Sequence, residues 1–367
     1  MKKFIIIIII SIIIIIIPII GYYIIPKKMT YYKCSDRPNN TLLSSIFEKH
    51  KINLQKEGFD LYMPCGYNNI ENEMAENIFY GKYIFGLKGC DKIVSKNSIW
   101  SILEMTYGRS FASQIMPETF ILQDEGQLAM AYNYLDKNDK NNILICKKNV
   151  QRKLGLKFAM TKEELEECVK DNFKVAQRFM KNTLTIKGRK MNIRIYYVIK
   201  KEGDRLTFYL YRNGKILYTN KKTGDDISFD THITSYQMDS NIYKNDGLPH
   251  SIPDLRQFLG KDRSKIIWKK IEEKMVFLSR AIASVFYDEM HYNKVCFQLF
   301  GVDVIVAENG EPFILEINKG PDMIPKCDQD EELKKRVYED TMRIGGVIGW
   351  KLRKNGFYTI HQHYFSG

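Results

Sequence analysis

The sequence predicts an α+β fold, with a globular body of several lobes preceded by one N-terminal transmembrane helix. Three observations support this prediction. Residues 4–25 form an uncharged apolar run, residues 188–199 alternate between polar and apolar side chains, and residues 297–321 have the pattern of a β-hairpin. Amphipathic helical segments lie between the predicted strands. With 367 residues, the chain is long enough to bury a sizeable core as one multi-lobed unit.

The first element is the apolar run at residues 4–25, which is dominated by isoleucine. At about 1.5 Å per residue, it is long enough to cross a ~30 Å hydrocarbon layer as a helix. A cleaved signal peptide is the alternative, but the run is too long for a typical signal and no small-residue cleavage site follows Pro26. More basic residues follow the run than precede it. The positive-inside rule therefore predicts a single-pass membrane protein whose body faces the cytosol.

Changes in composition divide the chain into segments. The predicted divisions are a flank (1–3), a transmembrane anchor (4–25), a linker (26–40), an N lobe (41–120), a central lobe (121–187) and a C lobe (188–367).

Helical periodicity predicts helices at residues 98–107, 265–287 and 331–344. Thr161 and Glu164 form a capping-box pair that is expected to open a further helix in the central lobe.

The chain is basic, with a formal net charge of +13, which favours acidic partners. Nucleic acid is not a predicted partner, because no basic and aromatic recognition module is evident. The seven cysteines are odd in number and lack metal-finger spacing, so neither a disulfide framework nor a zinc site is predicted. Reduced thiols are expected.

The segment 188–199 is predicted to be a half-buried strand. Lys190, Asn192 and Arg194 share one face, and the alternate residues are apolar. Cations at alternate positions of a rigid strand suit the binding of phosphate oxygens, with the arginine acting as a bidentate fork and the lysine as a point charge. A solvated strand face is the alternative.

The hairpin at residues 297–321 turns at Asn309-Gly310, which is the strongest short hairpin signal. A two-residue loop places Glu308 opposite Glu311 and, counting outward, Asp303 opposite Glu316. Asn318 then lies diagonally beside Asp303. Two facing carboxylates repel each other unless a cation intervenes, so the pattern predicts an Mg²⁺ site, with solvated acids on an edge hairpin as the alternative.

These segments together resemble the tubulin-tyrosine ligase-like family of ATP-grasp ligases. The resemblance rests on four motifs in the family's order: residues 95–122, 188–196, the sequence THITSY at 231–236, and 300–321. It implies an ATP-grasp-like fold in three lobes, with the nucleotide between two sheet-containing lobes. The implied cofactors are ATP and Mg²⁺.

The resemblance also implies roles for individual residues. Catalytic and phosphate-binding roles fall on Lys190 and Arg194, and Mg²⁺ ligation falls on Asp303, Glu316 and Asn318. The remaining nucleotide-binding positions are Lys147, with Lys148 as the alternative register, the hinge Gln177, Arg178, Phe179 and Met180, the strand residue Asn192, and the loop residues His232 and Thr234.

Several positions depart from the family pattern. Asn192 stands where the family has Asp, and Ser235 where it has Asn. Leu217 or Tyr218 falls where tyrosine ligases place an Arg directed at the γ-phosphate. Lys215 or Arg212 is a possible substitute for that Arg, and Arg152 or Lys153 for the missing glycines of the phosphate loop.

The resemblance predicts an ATP- and Mg²⁺-dependent amide ligase. Such an enzyme would add an amino acid of the Tyr, Glu or Gly class to an acidic protein such as tubulin through an acyl phosphate. The expected partners are that protein, the free amino acid and, through the anchor, a membrane. Two alternatives remain: a catalytically degenerate membrane tether that binds acidic tails, and an ATP-grasp ligase for a small molecule.

Overall fold

A computed structural model describes residues 28–34, 40–64, 72–74, 81–136, 142–149, 155–224, 226–234, 239, 241–289, 291–349 and 354–365. The strands are β1 (Thr30–Lys33), β2 (Asn53–Leu54), β3 (Leu61–Met63), β4 (Tyr83–Ile84), β5 (Thr119–Ile121), β6 (Leu144–Lys147), β7 (Leu156–Ala159), β8 (Val175–Arg178), β9 (Thr185–Ile186), β10 (Arg189–Glu202), β11 (Arg205–Tyr218), β12 (Val295–Val306), β13 (Pro312–Asn318) and β14 (Phe357–Tyr364).

The helices among the described residues are α1 (Thr41–Lys49), α2 (Cys90–Val94), α3 (Lys96–Tyr107), α4 (Arg109–Ile115), α5 (Glu125–Leu135), α6 (Lys162–Lys170), α7 (Phe229–His232), α8 (Ile242–Asn245), α9 (Ile252–Leu259), α10 (Lys261–Ile282) and α11 (Asp328–Ile344). A 3₁₀ turn at Ala283–Phe286 continues α10.

Two sheets organise the chain, and the predicted mixed α+β class is confirmed. The larger sheet has ten strands, eight of them in the order β14-β11-β10-β12-β4-β3-β1-β2, while β13 pairs with β12 and β9 with β10. The smaller sheet has the order β5-β8-β6-β7. Long antiparallel pairing of β10 with both β11 and β12 forms the centre of the larger sheet.

Strand β10 separates two parts of the core. Met191, Ile193 and Ile195 point into the main cluster beneath α10, as the alternation predicts. Tyr196 and Val198 point to the other face, where they pack with the apolar side of α11 and with α1. Lys190 and Asn192 on that second face are also buried, so the alternative of a solvated strand face is wrong. A third cluster lies between the smaller sheet and helices α5 and α6.

The hairpin β12–β13 reaches the predicted register at the site by a different route. Gly310, at φ +85°, lies in a loop closed by the Ala307 N–H donating to Glu311 O, so Glu308 does not pair with Glu311. A bulge between Asp303 and Val304 then restores the register, and Asp303 lies opposite Glu316 as predicted.

The bulge has a consequence for packing. Ile314, not Phe313 or Leu315, is the fully buried partner of the valines of β12.

The predicted helices are present, with shifted ends. The first begins two residues early, at Lys96, and the last begins at Asp328. The long helix runs over Lys261–Ile282. Thr161 caps α6 in a capping box with Glu164, as its sequence predicts.

The predicted membrane localisation is corrected. Among the described residues, no helix combines the length and the apolar character needed to cross a bilayer. The predicted anchor at residues 4–25 lies outside the described residues. The expectation of reduced thiols also fails at one position, because Cys34 is disulfide-bonded.

Candidate functional site

Most of the predicted site residues lie where the larger sheet faces the smaller one. One row of side chains crosses four adjacent strands: Lys215 of β11 is paired with Arg194 of β10, Arg194 with Asp303 of β12, and Asp303 with Glu316 of β13. The antiparallel register thus assembles two cations and two carboxylates from segments more than a hundred residues apart.

Arg194 and Asp303 form a bidentate ion pair. Arg194 Nη2 donates to Asp303 Oδ2 at 2.7 Å, and Nε donates to Oδ1. Burial opposes the charge on Arg194, but the carboxylate of Asp303 raises its pKa overall. Gly301 makes room for this arginine, since a Cβ there would lie 3.0 Å from Arg194 Cδ and 2.9 Å from Pro321 Cβ. The predicted phosphate-binding Arg and the predicted metal ligand are therefore partners in this structure.

Glu316 is the more accessible of the two carboxylates, with 30% of its side chain exposed. Asn318 Nδ2 donates to Glu316 Oε1 at 3.3 Å, and Lys96 Nζ lies 3.7 Å from Oε2. Burial alone would raise the pKa of Glu316, but Lys96, Lys147 and Arg194 hold it below its usual range. Glu316 is accordingly ionised at neutral pH.

Lys96 was missed by the sequence reasoning, although its segment was part of the family resemblance. The residue begins α3, and Asn149 fixes that end of the helix by accepting from the Lys96 backbone N–H at 3.1 Å. Asn149 Nδ2 donates in turn to Ser95 Oγ and Asn97 Oδ1. The contact between Lys96 and Asn149 joins segments that are far apart in sequence. No local sequence pattern at either residue predicts it.

Lys147 is the phosphate-binding candidate on the smaller sheet. Its side chain is buried, and Nζ donates to Gln177 Oε1 at 2.7 Å, while Gln177 Nε2 donates to Thr119 Oγ1. Burial lowers the pKa of Lys147 to about 8. Lys148 lies over the ring of Phe173, 4.7 Å from its centroid, so the structure turns Lys147 and not Lys148 toward the site.

Lys190 is the second buried lysine of the site. Its Nζ donates to Met180 O at 2.8 Å and lies 4.6 Å from the centroid of Phe179. Burial lowers the pKa of Lys190 to about 7, with a further contribution from Lys181. Among the described residues, neither this lysine nor Lys147 forms an ion pair.

The hinge after β8 supplies an aromatic wall. Phe179 contacts the rings of Phe158 and His232 at centroid distances of 5.2 and 5.5 Å. Burial and nearby Lys190 lower the pKa of His232 to about 4, so its ring is neutral at pH 7.

The structure does not bring every predicted hinge residue into the site. Arg178 points away, toward Glu118 at 3.6 Å and the ring of Tyr134 at 5.1 Å. The backbone N–H groups of Arg178 and Phe179 already donate to carbonyl oxygens of Glu118 and Ile143.

Asn192 lies between the two cations of β10. Its Nδ2 donates to Thr234 Oγ1 at 2.7 Å, which brings the predicted loop residue to the strand. Its Oδ1 is buried without a hydrogen-bond donor among the described residues. Leu217 is its cross-strand partner on β11. Asn192 and Leu217, two positions that depart from the family pattern, therefore face each other across β10 and β11.

The structure also separates the two candidates for a substitute cation. Arg212 stacks on the ring of Tyr358 at 4.2 Å. Lys215 lies in the row beside Arg194 and forms a 2.9 Å ion pair with Asp330. Arg152, Lys153 and Ser235 lie outside the described residues.

The donor set fits Mg²⁺ in part. Two carboxylates and an amide, from Asp303, Glu316 and Asn318, are hard oxygen donors on neighbouring strand positions, and Mg²⁺ commonly takes one or two carboxylates together with substrate phosphates. The described residues contain no cluster of three or more acidic, histidine or cysteine ligands. A divalent ion here would therefore depend on a phosphate ligand to complete its coordination.

Comparison of the sequence with models of known protein families identifies one matching family. The model of the "Tubulin-tyrosine ligase family" matches residues 80–352, which is well over half of the chain.

Three similar curated proteins agree with this family. The human "Probable tubulin polyglutamylase TTLL2" is 25% identical over 269 residues, covering 68% of this chain and 43% of the relative. The Bos taurus "Probable tubulin polyglutamylase TTLL9" is 24% identical over 208 residues, covering 53% and 44%. The human "Tubulin monoglutamylase TTLL4" is 21% identical over 345 residues, covering 88% and 28%. The chain spans less than half the length of these relatives.

Proposed function

The chain belongs to the tubulin-tyrosine ligase family, and from that premise we propose that it is an ATP-dependent ligase that joins an amino acid to a carboxylate of an acidic protein. Tubulin is the first candidate acceptor, because the named relatives are tubulin polyglutamylases and a monoglutamylase. The net charge of +13 supports an acidic partner.

One observation supports nucleotide binding above the others. Lys147 and Lys190 approach the same face from the two sheets, both are buried, and neither forms an ion pair among the described residues. Burying a charge without a partner is costly, and the lowered pKa values of both lysines report that cost. Phosphate oxygens would supply the missing negative charge, and the Phe179 wall beside Lys190 offers an apolar surface for a base.

The proposed reaction has two steps. The acceptor carboxylate oxygen attacks the γ-phosphorus of ATP, ADP leaves, and an acyl phosphate forms. The amine of the incoming amino acid then attacks the acyl carbon, inorganic phosphate leaves, and the amine loses a proton as the amide forms. Lys147, Lys190 and Arg194 would hold the phosphate oxygens and stabilise the charge that moves during transfer.

When bound, Mg²⁺ would neutralise phosphate charge during transfer. Glu316 and Asn318 are the residues placed to hold it, together with Asp303 if the ion competes with Arg194 for that carboxylate.

The test is to incubate the full chain with ATP, Mg²⁺, tubulin and an amino-acid pool, and to measure the masses of the tubulin tails. A tail that gains the mass of one amino acid, with matched ADP release, supports the proposal. Nucleotide binding without any mass gain would instead favour a non-catalytic binder of acidic tails, which the Asn192 and Leu217 departures suggest. Product formed without a protein acceptor would favour a small-molecule ligase.

A further inference from the structure

A charged cluster lies beneath the first turn of α11, beside the proposed phosphate site. Asp330 is fully buried, and its Oδ2 accepts from Lys215 Nζ and Lys334 Nζ, each at 2.9 Å. The same oxygen accepts from the Lys326 backbone N–H at 3.0 Å. The two lysine side chains are 9% and 3% exposed. One carboxylate therefore serves two largely buried ammonium groups.

The cluster also lacks a hydrogen-bond donor. All three contacts go to Oδ2, and Asp330 Oδ1 is buried with no donor among the described residues. A buried acceptor that lacks a hydrogen bond destabilises the fold. The site thus has an excess of positive charge on its lysines and an unfilled acceptor on its aspartate.

The pairing of β10 with β11 places this cluster next to the residues proposed to hold the phosphates. Lys215 pairs with Arg194 across β10 and β11, and Arg194 holds Asp303. A ligand bound to Lys215 would therefore lie at the β11 end of this row, next to Arg194.

We propose that Lys215, Asp330 and Lys334 bind the free amino acid that the ligase adds, with its α-carboxylate at the two lysines and its ammonium group at Asp330 Oδ1. The proposal rests on the proposed function and deepens it. An α-amino acid carries both groups on one carbon atom, so a single ligand fills both deficits. The acceptor carboxylate and ATP would supply negative charge but no ammonium group.

The segment between β13 and α11 lies against the cluster. Lys334 Nζ donates to Ile324 O at 2.7 Å, and the Lys326 N–H donates to Asp330, so two hydrogen bonds hold this segment over the cluster. Binding of the amino acid exchanges these contacts for contacts with the ligand.

The first test uses the unmodified full chain and needs no turnover. Calorimetric titrations with glutamate, tyrosine and glycine, in the presence of a non-hydrolysable ATP analogue, should identify at least one that saturates. Its N-acetyl derivative and its α-carboxamide should each bind at least tenfold more weakly, because each lacks one of the two charged groups. Equal binding of either derivative would overturn the proposal.

The second test uses variants. Asp330→Asn and Lys215→Met should each weaken amino-acid binding at least tenfold, and Asp330→Asn should leave binding of the ATP analogue unchanged. Asp340→Asn is the matched control, because Asp340 is a fully buried acid of the same helix that pairs with Arg343 at 2.7 Å. That variant should keep wild-type amino-acid affinity even where its thermal stability falls. If Asp330→Asn does not fold, Lys215→Met and the ligand derivatives decide the question.

The outcomes separate this inference from the proposed function. Amino-acid binding that depends on Asp330, without transfer to tubulin, would uphold the inference and reject the acceptor. Transfer to tubulin with wild-type amino-acid affinity in both variants would uphold the function and reject the inference.

Discussion

The two ends of the polar face of β10 carry cations in opposite electrostatic situations. At one end, Lys190 is buried against Phe179 and the Met180 carbonyl oxygen, and burial lowers its pKa to about 7. Four residues on, Arg194 is paired with Asp303, and that carboxylate raises its pKa despite burial. The first end lacks a counter-ion among the described residues, and the second contains its own.

This difference assigns different tasks to the two ends. A buried cation without a partner favours an incoming anion, because the ligand supplies charge that the fold omits. A paired cation releases its carboxylate only when another cation or a phosphate competes for it. We infer that the Lys190 end binds phosphate directly, and that the Arg194 end rearranges when nucleotide and metal arrive together.

The sharpest test of the comparison is to replace each cation by methionine. Arg194→Met leaves the buried carboxylate of Asp303 without its arginine and should destabilise the fold by about 3–5 kcal/mol. Lys190→Met should stabilise the ligand-free fold by about 1 kcal/mol or more, since each unit of pKa depression corresponds to about 1.4 kcal/mol. Urea denaturation of the free protein measures both. Effects of the same sign would contradict the distinction.

The next largest effect concerns the metal site. Glu316→Gln keeps the shape of the side chain but removes its charge, and should lower Mg²⁺-dependent ATP turnover by about 10²–10³. Glu311→Gln is a matched control on the same hairpin. Glu311 lies at the turn, away from Glu316, and forms ion pairs with Lys270 and Lys274, each at 2.7 Å. Initial-rate assays over a range of Mg²⁺ concentrations should separate the two. Normal turnover in Glu316→Gln would remove Glu316 from the proposed metal site.

The sequence predicted the carboxylate pair better than it predicted the hairpin. A three-residue turn and the bulge before Val304 each shift the register by one, and the two shifts cancel at Asp303 and Glu316. Periodicity indicates which residues share a face, but it does not locate a bulge, so it does not show that Ile314 is the fully buried residue in place of Phe313 and Leu315.

Other parts of the site depend on contacts that no local pattern contains. Lys96 reaches Glu316 from a helix more than two hundred residues earlier, and Asp330 reaches Lys215 from a helix after the last site strand. These side chains have no distinctive spacing in the sequence. The burial of Lys147 and Lys190, which lowers their pKa values, was also not predictable. A strand pattern does not show whether a second sheet will cover its polar face.

A smaller effect should appear in the pH dependence of nucleotide binding. The pKa of Lys190 is about 7 in the free protein, and a bound phosphate would raise it, so binding above pH 7 should take up a proton. Affinity for ATP should fall up to about tenfold per pH unit above 7. Without ligand the sign reverses: stability should rise from pH 7 toward the unfolded pKa of 10.5, because the unfolded chain binds more protons. Calorimetry in buffers of different ionisation enthalpy measures the uptake, which should be reduced in Lys190→Met.

The smallest effect concerns Asn192 and Leu217, which face each other across β10 and β11. Asn192→Asp alone places a carboxylate opposite an apolar side chain, and Leu217→Arg alone adds a cation beside Arg194 and Lys190. Together they create an opposite-charge pair, which contributes about 0.2–1 kcal/mol when directly opposed. A double-mutant cycle by urea denaturation should show favourable coupling of that size. Leu217→Arg combined with Asn53→Asp, an exposed position on β2, should be additive. Additivity in the first cycle would mean that the two departures from the family pattern are independent changes, and the structural argument that links them would fail.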